Sequence, residues 1–261
     1  ARRFTYNPPM CLISFHWQPA SQTPLVMVAN RDEFHKRPTQ ASRFWPDFPH
    51  IIAGQDLEAG GTWMGATLDG RFAALTNVRQ VPSPVEIDQQ DKISRGQLVL
   101  DYLAQIQSPQ TYLAGVQEIA HLCEGFNLVV GNREQCWYLG NRNDQGPTSL
   151  KPGLYGLSNA QLDSPWPKTL YAKQSLQEWL KQPGTPLYQA LQRKAPYAKA
   201  ELPSTGISVE LETLLSSPFI VTPDYGTRAT TALQMHHDSI QWQEVSYNPE
   251  GQQTQLIEHT F

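Results

Sequence analysis

Apolar residues in this chain recur in short runs. Residues 11–15 and 25–29 are two of them, separated by a polar segment with Pro19, Ser21 and Pro24, and they predict two strands joined by a loop. The second run delivers Asn30, Arg31, Asp32 and Glu33. Two readings of that tetrad stand side by side: a solvated charged turn, or an Arg and a carboxylate placed beside the Cys11 thiol. In the second reading the guanidinium favours the thiolate, which is the nucleophilic form.

Residues 34–49 are broken by Pro38, Pro46 and Pro49 and carry Phe44, Trp45 and Phe48, so they read as a loop whose aromatic rings can cover a site. A brief strand is expected at 51–53. The clearest hairpin pairs 62–68 with 71–77 across Asp69-Gly70, a dipeptide favoured in tight primed turns, and it places Asn77 at a strand end. A helix over 94–104 has Ser94 at its cap and Gln97 as capping-box partner. A second starts at Ser108-Pro109, with Leu113, Val116, Ile119, Ala120 and Cys123 at helical spacing. Strands are expected at 126–130 and 136–139 around Gly131-Asn132, and at 153–158, ending in Asn159. A helix over 168–180 stops before Pro183-Gly184, residues 186–202 are weakly helical, and Ser208 caps a short helix through Leu215. The remainder is strand-like at 219–222, 228–236, 240–247 and 254–257, with turns at 223–226 and 237–239. Strands gather at both ends with helices between, which points to the α+β class: two stacked antiparallel sheets with helices on the outer faces.

Composition narrows the function classes. A chain of 261 residues makes one large domain or two small ones, and 39% hydrophobic with 17% charged residues is ordinary for a soluble globular protein. A net charge of -4, from 20 Lys and Arg against 24 Asp and Glu, gives no basic footprint for nucleic acid and leaves small-molecule or protein partners. Three cysteines do not make a disulfide framework, so a reducing compartment is expected, with a Cys123–Cys136 pair left open; both otherwise read as small core residues. No window approaches the length of an apolar membrane span, and residues 1–9 lack the core of a secretory signal, so a soluble, cytoplasmic protein is expected. Residues 1–9 read as a leader, an expression remnant, a mis-chosen start or a removable pro-segment.

No Cys-x-x-Cys or His-x-x-x-His spacing marks a metal site, and no Gly-x-Ser-x-Gly elbow or phosphate-cradling glycine fingerprint is present, so neither metal nor cofactor is expected. What remains is a set of polar residues at strand ends: Cys11, Arg31, Asp32, Asn77, Asn159 and Arg228. Amide hydrolysis through a thiol needs an ionisable sulfur, a proton shuttle, donors for the oxyanion and charges that orient them. The set contains each type.

Met10-Cys11-Leu12-Ile13, Ala29-Asn30-Arg31-Asp32-Glu33-Phe34 with Arg37-Pro38, Gly60-Gly61-Thr62-Trp63-Met64-Gly65, Ala74-Leu75-Thr76-Asn77 and Tyr225-Gly226-Thr227-Arg228 together resemble the NRDE family, also called the transport and Golgi organisation 2 family. The resemblance runs over nearly the whole chain from Met10. That family is similar to the N-terminal-nucleophile hydrolases, in particular the cysteine branch with choloylglycine hydrolases and penicillin V acylases. The resemblance implies a single domain over 10–261 with a four-layer αββα sandwich. It implies Cys11 as nucleophile, exposed by removal of Met10, with its own α-amine as base. Arg31 and Asp32 then correspond to the Arg and Asp of the first hairpin, Asn77 to an oxyanion Asn, Asn159 to an Asn that positions the amine, and Arg228 to a late Arg completing the charge network. The implied reaction is hydrolysis of linear non-peptide amides, or of thioesters.

One departure bears on the mechanism: nine residues and Met10 precede Cys11, so its nitrogen is a peptide amide and no base. The competing reading is a carrier without turnover, since eukaryotic relatives are associated with haem and acyl-lipid handling. In that reading Trp17, Phe44, Trp45, Phe48 and Trp63 line an apolar cleft for haem or an acyl chain; against it, the same rings read as core aromatics. The acyl group, the leaving group and the oligomeric state are not legible in the sequence.

Overall fold

In the computed structural model, which describes residues 10–79 and 92–261, the two N-terminal apolar runs pair with each other. The leader expected at 1–9 lies outside the described residues. β1 (Met10–Trp17) and β2 (Leu25–Phe34) are antiparallel, with Cys11 across from Arg31 and Met10 across from Asp32. β2 continues through Phe34, so the charged tetrad is strand and buried, and the solvated turn is set aside.

The chain continues with β3 (Thr39–Phe44), β4 (Ile51–Asp56), β5 (Met64–Thr67), β6 (Phe72–Asn77), α1 (Arg95–Ala104), α2 (Pro109–Ile119), β7 (Phe126–Gly131), β8 (Cys136–Gly140), β9 (Thr148–Ser149) and β10 (Gly153–Leu157). It ends with α3 (Pro167–Lys181), α4 (Val209–Leu215), β11 (Tyr225–Met235), β12 (Ile240–Tyr247) and β13 (Gln253–Thr260). One sheet has the order β10-β1-β2-β11-β12-β13 and the other runs β3 to β9 in chain order. Every ladder is antiparallel.

Strand alternation sorts side chains into layers. Ile13, Phe15 and Trp17 of β1, with Leu25 and Met27 of β2, face Met64, Phe72 and Val129 of the second sheet and make the central core. The residues between them, Leu12, Val26 and Val28, face outward onto Ala172 and Leu176 of α3. On the far side Ala73, Leu75, Leu128 and Val130 meet Leu98 and Leu103 of α1 and Leu113 and Val116 of α2. The result is helix, sheet, sheet, helix, the four-layer α+β arrangement. Each fully buried aliphatic or Phe side chain contributes about 1.5–3 kcal/mol, so these three interfaces supply the main driving force.

Local departures from expectation have identifiable causes. Residues 34–49 contain β3, because their prolines fall outside its span and the edge strand tolerates a register shift between Gln40 and Arg43. Only Gly70, at φ +85°, takes a left-handed conformation in the 67–71 turn, and the Gly70 N–H donates to the Thr67 carbonyl. The hairpin therefore closes by a three-residue loop with glycine in its last place and not by a primed two-residue turn. Ser94 makes no side-chain cap, the Gln97 N–H donating to the Ser94 carbonyl instead, and Gln97 Nε2 donates to Asp101 Oδ1 one turn on; Ser108 and Ser208 do cap their helices. Residues 219–222 reduce to a bridge between Val221 and Gly226, and the turn expected through Gly226 is shortened because β11 begins at Tyr225. Residues 186–202 form two 3₁₀ turns, 187–191 and 199–201. The three cysteines are unpaired, with Cys123 in the outer helical core and Cys136 in the central core, on opposite faces of one sheet.

One close approach shapes the site. A Cβ on Gly61 would collide with the Gly96 carbonyl and the Gln97 nitrogen, and the Thr62 N–H donates to the Gly96 carbonyl at 3.2 Å. The start of α1 is thereby pressed against the β4–β5 connection. Among the described residues no helix is long and apolar enough to cross a membrane.

Candidate active site

The alternation that builds the core also aims the polar residues at the end of β1 and β2. Cys11 shares the inward face with Ile13, and Arg31 and Glu33 share it with Leu25, Met27 and Ala29. Asn30 and Asp32 fall on the opposite face, toward the helix layer. The tetrad is therefore split between the two sides of one sheet.

Between the sheets lies a cleft of about 260 Å³ whose lining includes Cys11, Arg31, Trp63, Asn77 and Gly96. The Arg31 guanidinium is held from several sides. Nη1 donates to Thr39 Oγ1 at 3.1 Å, Nη2 lies 3.3 Å from Asp56 Oδ2 and 3.6 Å from Glu33 Oε2, and the group sits 4.4 Å above the Trp63 ring. Arg37 Nε donates to the same Asp56 oxygen at 2.7 Å. Burial draws the Asp56 carboxyl up, but the Arg37 hydrogen bond and its charge outweigh this and hold it below the usual carboxylate range.

On the other face Thr227 Oγ1 donates to Asp32 Oδ1 at 2.6 Å, while Asp32 Oδ2 has no donor among the described residues. Thr227 reaches this face through an irregularity. Thr227 pairs with Asp32 and Ala229 with Arg31, so Arg228 is an extra residue in β11. A bulge of one residue reverses the side of all that precede it. Were Arg228 in regular register it would pair with Asp32, and Thr227 would share the inward face of Leu233 and Met235 and leave Asp32 Oδ1 without this hydroxyl.

Arg228 itself does not line the cleft. Its Nη1 donates to the carbonyls of Phe34, His35 and Arg37 at 2.9, 3.1 and 3.2 Å, so it binds the turn that presents Arg37. Asn159 stands behind Asn77: its Nδ2 donates to the Asn77 carbonyl at 2.9 Å, and the Arg79 N–H donates to the Asn159 carbonyl at 2.7 Å. The structure thus gathers Cys11, Arg31, Asp32 and Asn77 at one cleft, with Asn159 and Arg228 acting on its walls.

Three groups enter the site that sequence reasoning did not single out for it. Arg37 and Asp56 complete the ion network around Arg31. Lys168, 2% exposed, lies in the first turn of α3 and donates to Asn159 Oδ1 at 3.4 Å and to the Leu215 carbonyl at 3.1 Å. Its one sequence signal is a cation at a helix N-terminus, where the macrodipole disfavours it.

The thiolate expectation does not hold for this chain. Burial pushes the Cys11 thiol up to about 12, Asp32 adds to the rise, and Arg31 only partly offsets them. We expect alkylation of Cys11 by iodoacetamide in this Met10-bearing chain to be slower than that of a free cysteine at pH 7, and to climb about tenfold per pH unit between pH 8 and 10 as the thiolate fraction grows. Peptide mass mapping after timed labelling reads this directly; a plateau reached by pH 8 would contradict it.

The aromatic cleft is also corrected. Trp17 is in the central core, Trp45 in the outer helical core with its Nε1 on the Ala53 carbonyl, Phe44 against His259 and Phe261, and Phe48 near His50. Of the five rings only Trp63 lines the Cys11 cleft. Large apolar rings gain most where water is excluded on all sides, and here they went into the layers. Among the described residues no group of three or more His, Cys, Asp or Glu is placed to hold a metal ion.

Residues 10–249 match the family model described as Transport and Golgi organisation 2. The chain is similar to the Transport and Golgi organization protein 2 homologs of Bos taurus and of Homo sapiens, each 34% identical over 253 residues, covering 88% of this chain and 90% of the relative. Among solved structures it is similar to penicillin V acylase from Agrobacterium tumefaciens, with a TM-score of 0.40 and 11% identity over 88% of this chain and 82% of that one.

Proposed function

We propose that this chain, which belongs to the Transport and Golgi organisation 2 family, hydrolyses a small linear amide or thioester in the Cys11 cleft, acting with Cys11 as its first residue. The observation that carries this reading is the open acceptor on Asp32. Its Oδ1 is filled by Thr227, its Oδ2 has no donor among the described residues, and Met10 lies directly across the ladder. Loss of Met10 would leave the Cys11 nitrogen as the end of β1 at that place, an ammonium for a buried carboxylate to receive.

The chemistry follows from the groups present. The α-amine, with an ordinary pKa of about 7.7–8.0, takes the thiol proton in its neutral form. The sulfur attacks the carbonyl carbon, and donors at Asn77 receive the oxyanion. Arg31, fixed by Asp56, Glu33 and Trp63, holds positive charge beside the sulfur. The scissile C–N or C–S bond breaks as the ammonium returns a proton to the leaving amine or thiol. Water then cleaves the thioester on Cys11, releasing the acid and restoring the thiol. A cleft of about 260 Å³ with charged walls fits a short acyl group and disfavours carriage of haem or a long chain.

The test is turnover by protein that begins at Cys11 on a panel of short acyl amides and thioesters, with Cys11→Ala beside it. Hydrolysis lost in Cys11→Ala supports the reading; no hydrolysis and no acyl adduct with any member of the panel sinks it.

A further inference from the structure

Lys168 takes no part in the steps above, yet its placement has a specific consequence for Asn159. An ammonium has donors and no acceptor, so the amide atom that faces it must be oxygen. Asn159 Oδ1 accordingly accepts from Lys168 Nζ at 3.4 Å and from Ser158 Oγ at 3.0 Å, and the Nδ2 on the other side donates to the Asn77 carbonyl at 2.9 Å. Flipping that amide would set two N–H groups against the ammonium and strip the Asn77 carbonyl of its donor. Asn77 is the residue through which this chain of bonds reaches the cleft.

We propose that Lys168 is a positioning residue: its ammonium locks the Asn159 amide in one orientation and through it holds the Asn77 segment against the cleft. The amide orientation stands on its own geometry, while its kinetic consequence rests on the hydrolytic reading.

The groups facing Lys168 are Arg79, just after β6, Asp32 on β2, Cys11 on β1 and Glu212 on α4. Burial, then Arg79, pulls its proton affinity well below the usual lysine range, and Asp32, Cys11 and Glu212 oppose this. The ammonium is present below that lowered pKa, so the lock is complete there and is released as pH rises through it.

Side-chain amide resonances of Asn159 in ¹⁵N-labelled full chain, assigned by their loss in Asn159→Asp, read the lock without any substrate. In the unmutated protein they are expected to move with an inflection well below the range of exposed lysines. In Lys168→Met they are expected at displaced positions with no inflection. In Lys168→Arg, which still donates but does not titrate, they are expected near their original positions, also without inflection. Unchanged resonances in Lys168→Met, or an inflection that survives in Lys168→Arg, would overturn the proposal. If Lys168→Met does not fold, the Lys168→Arg titration decides alone.

In protein beginning at Cys11, Lys168→Met is expected to slow acylation about tenfold at unchanged KM, with Lys168→Arg recovering most of it. Equal rates in Lys168→Met and its parent would overturn the link to the cleft. Absence of acylation in the parent would count against the hydrolytic reading only, and the resonances would still judge Lys168.

Discussion

Protein that begins at Cys11 is expected to take one acyl group from a short-chain thioester at least about 10²-fold faster than protein retaining Met10, because general-base catalysis is worth about 10²–10⁴. Retention of Met10 removes the base outright, since the Cys11 nitrogen is then a peptide amide. It also leaves the thiol pushed up to about 12 by burial and by Asp32. Removal supplies an amine at the sulfur and, below its own pKa, an ammonium whose charge favours the thiolate. The base must be neutral to act, so acylation should rise with pH through the amine's pKa. Asp32 faces that amine across the ladder and, as a carboxylate, moves the limb to higher pH. Intact mass with peptide mapping reads the adduct, and Cys11→Ala should gain none. Equal rates with and without Met10 would show that the α-amine is not the base.

Glu212→Ala is expected to lower the unfolding free energy by about 3–5 kcal/mol, the usual penalty for removing one partner of a buried ion pair. Glu212 Oε2 and Arg79 Nη1 are 2.5 Å apart, and both side chains are almost fully buried. Oε1 also accepts from the Thr205 N–H at 3.0 Å and from its hydroxyl. Truncation takes the Glu212 carboxylate away from a guanidinium that lies 5.3 Å over Trp166 and near the Lys168 ammonium. Replacing both residues, as in Arg79→Met with Glu212→Leu, should recover most of the loss, because the buried charge goes as well. Urea unfolding of the single and double variants measures it; a loss under about 1 kcal/mol in Glu212→Ala would mean the pair behaves like an exposed one.

Much of the fold was legible because hydrophobic period and turn chemistry act locally. Residues 11–15 and 25–29 read as strands and Asp69-Gly70 as a turn, although the turn's type depended on which residue took the left-handed conformation. β3 was hidden by prolines that flank it without entering it. At the site, residue types were legible from the resemblance, but sidedness was not. Arg31 and Asp32 are neighbours in sequence and lie on opposite faces of one sheet, and the bulge at Arg228 that brings Thr227 to Asp32 leaves no mark in composition or period. Lys168 escaped because its partners, Asn159 and the Leu215 carbonyl, come from other segments. The thiolate expectation weighed one neighbour, Arg31, whereas burial and a nearby carboxylate weigh more. The aromatic residues of 34–49 were legible as apolar but not as belonging to different layers.

The pairing of β2 with β11 has a consequence for synthesis. Thr227 donates to Asp32 across 195 residues of chain, and Arg228 reaches Phe34 across 194. While the polypeptide is still emerging from the ribosome, the N-terminal hairpin has neither the hydroxyl that binds Asp32 nor the guanidinium that fixes the 34–37 turn. Contacts this distant form late in folding, since the intervening chain must close before they reward it. A nascent chain therefore carries its cysteine before Asp32 has its hydroxyl donor and before the 34–37 turn is fixed, and the machinery proposed here is complete only once β11 has been made.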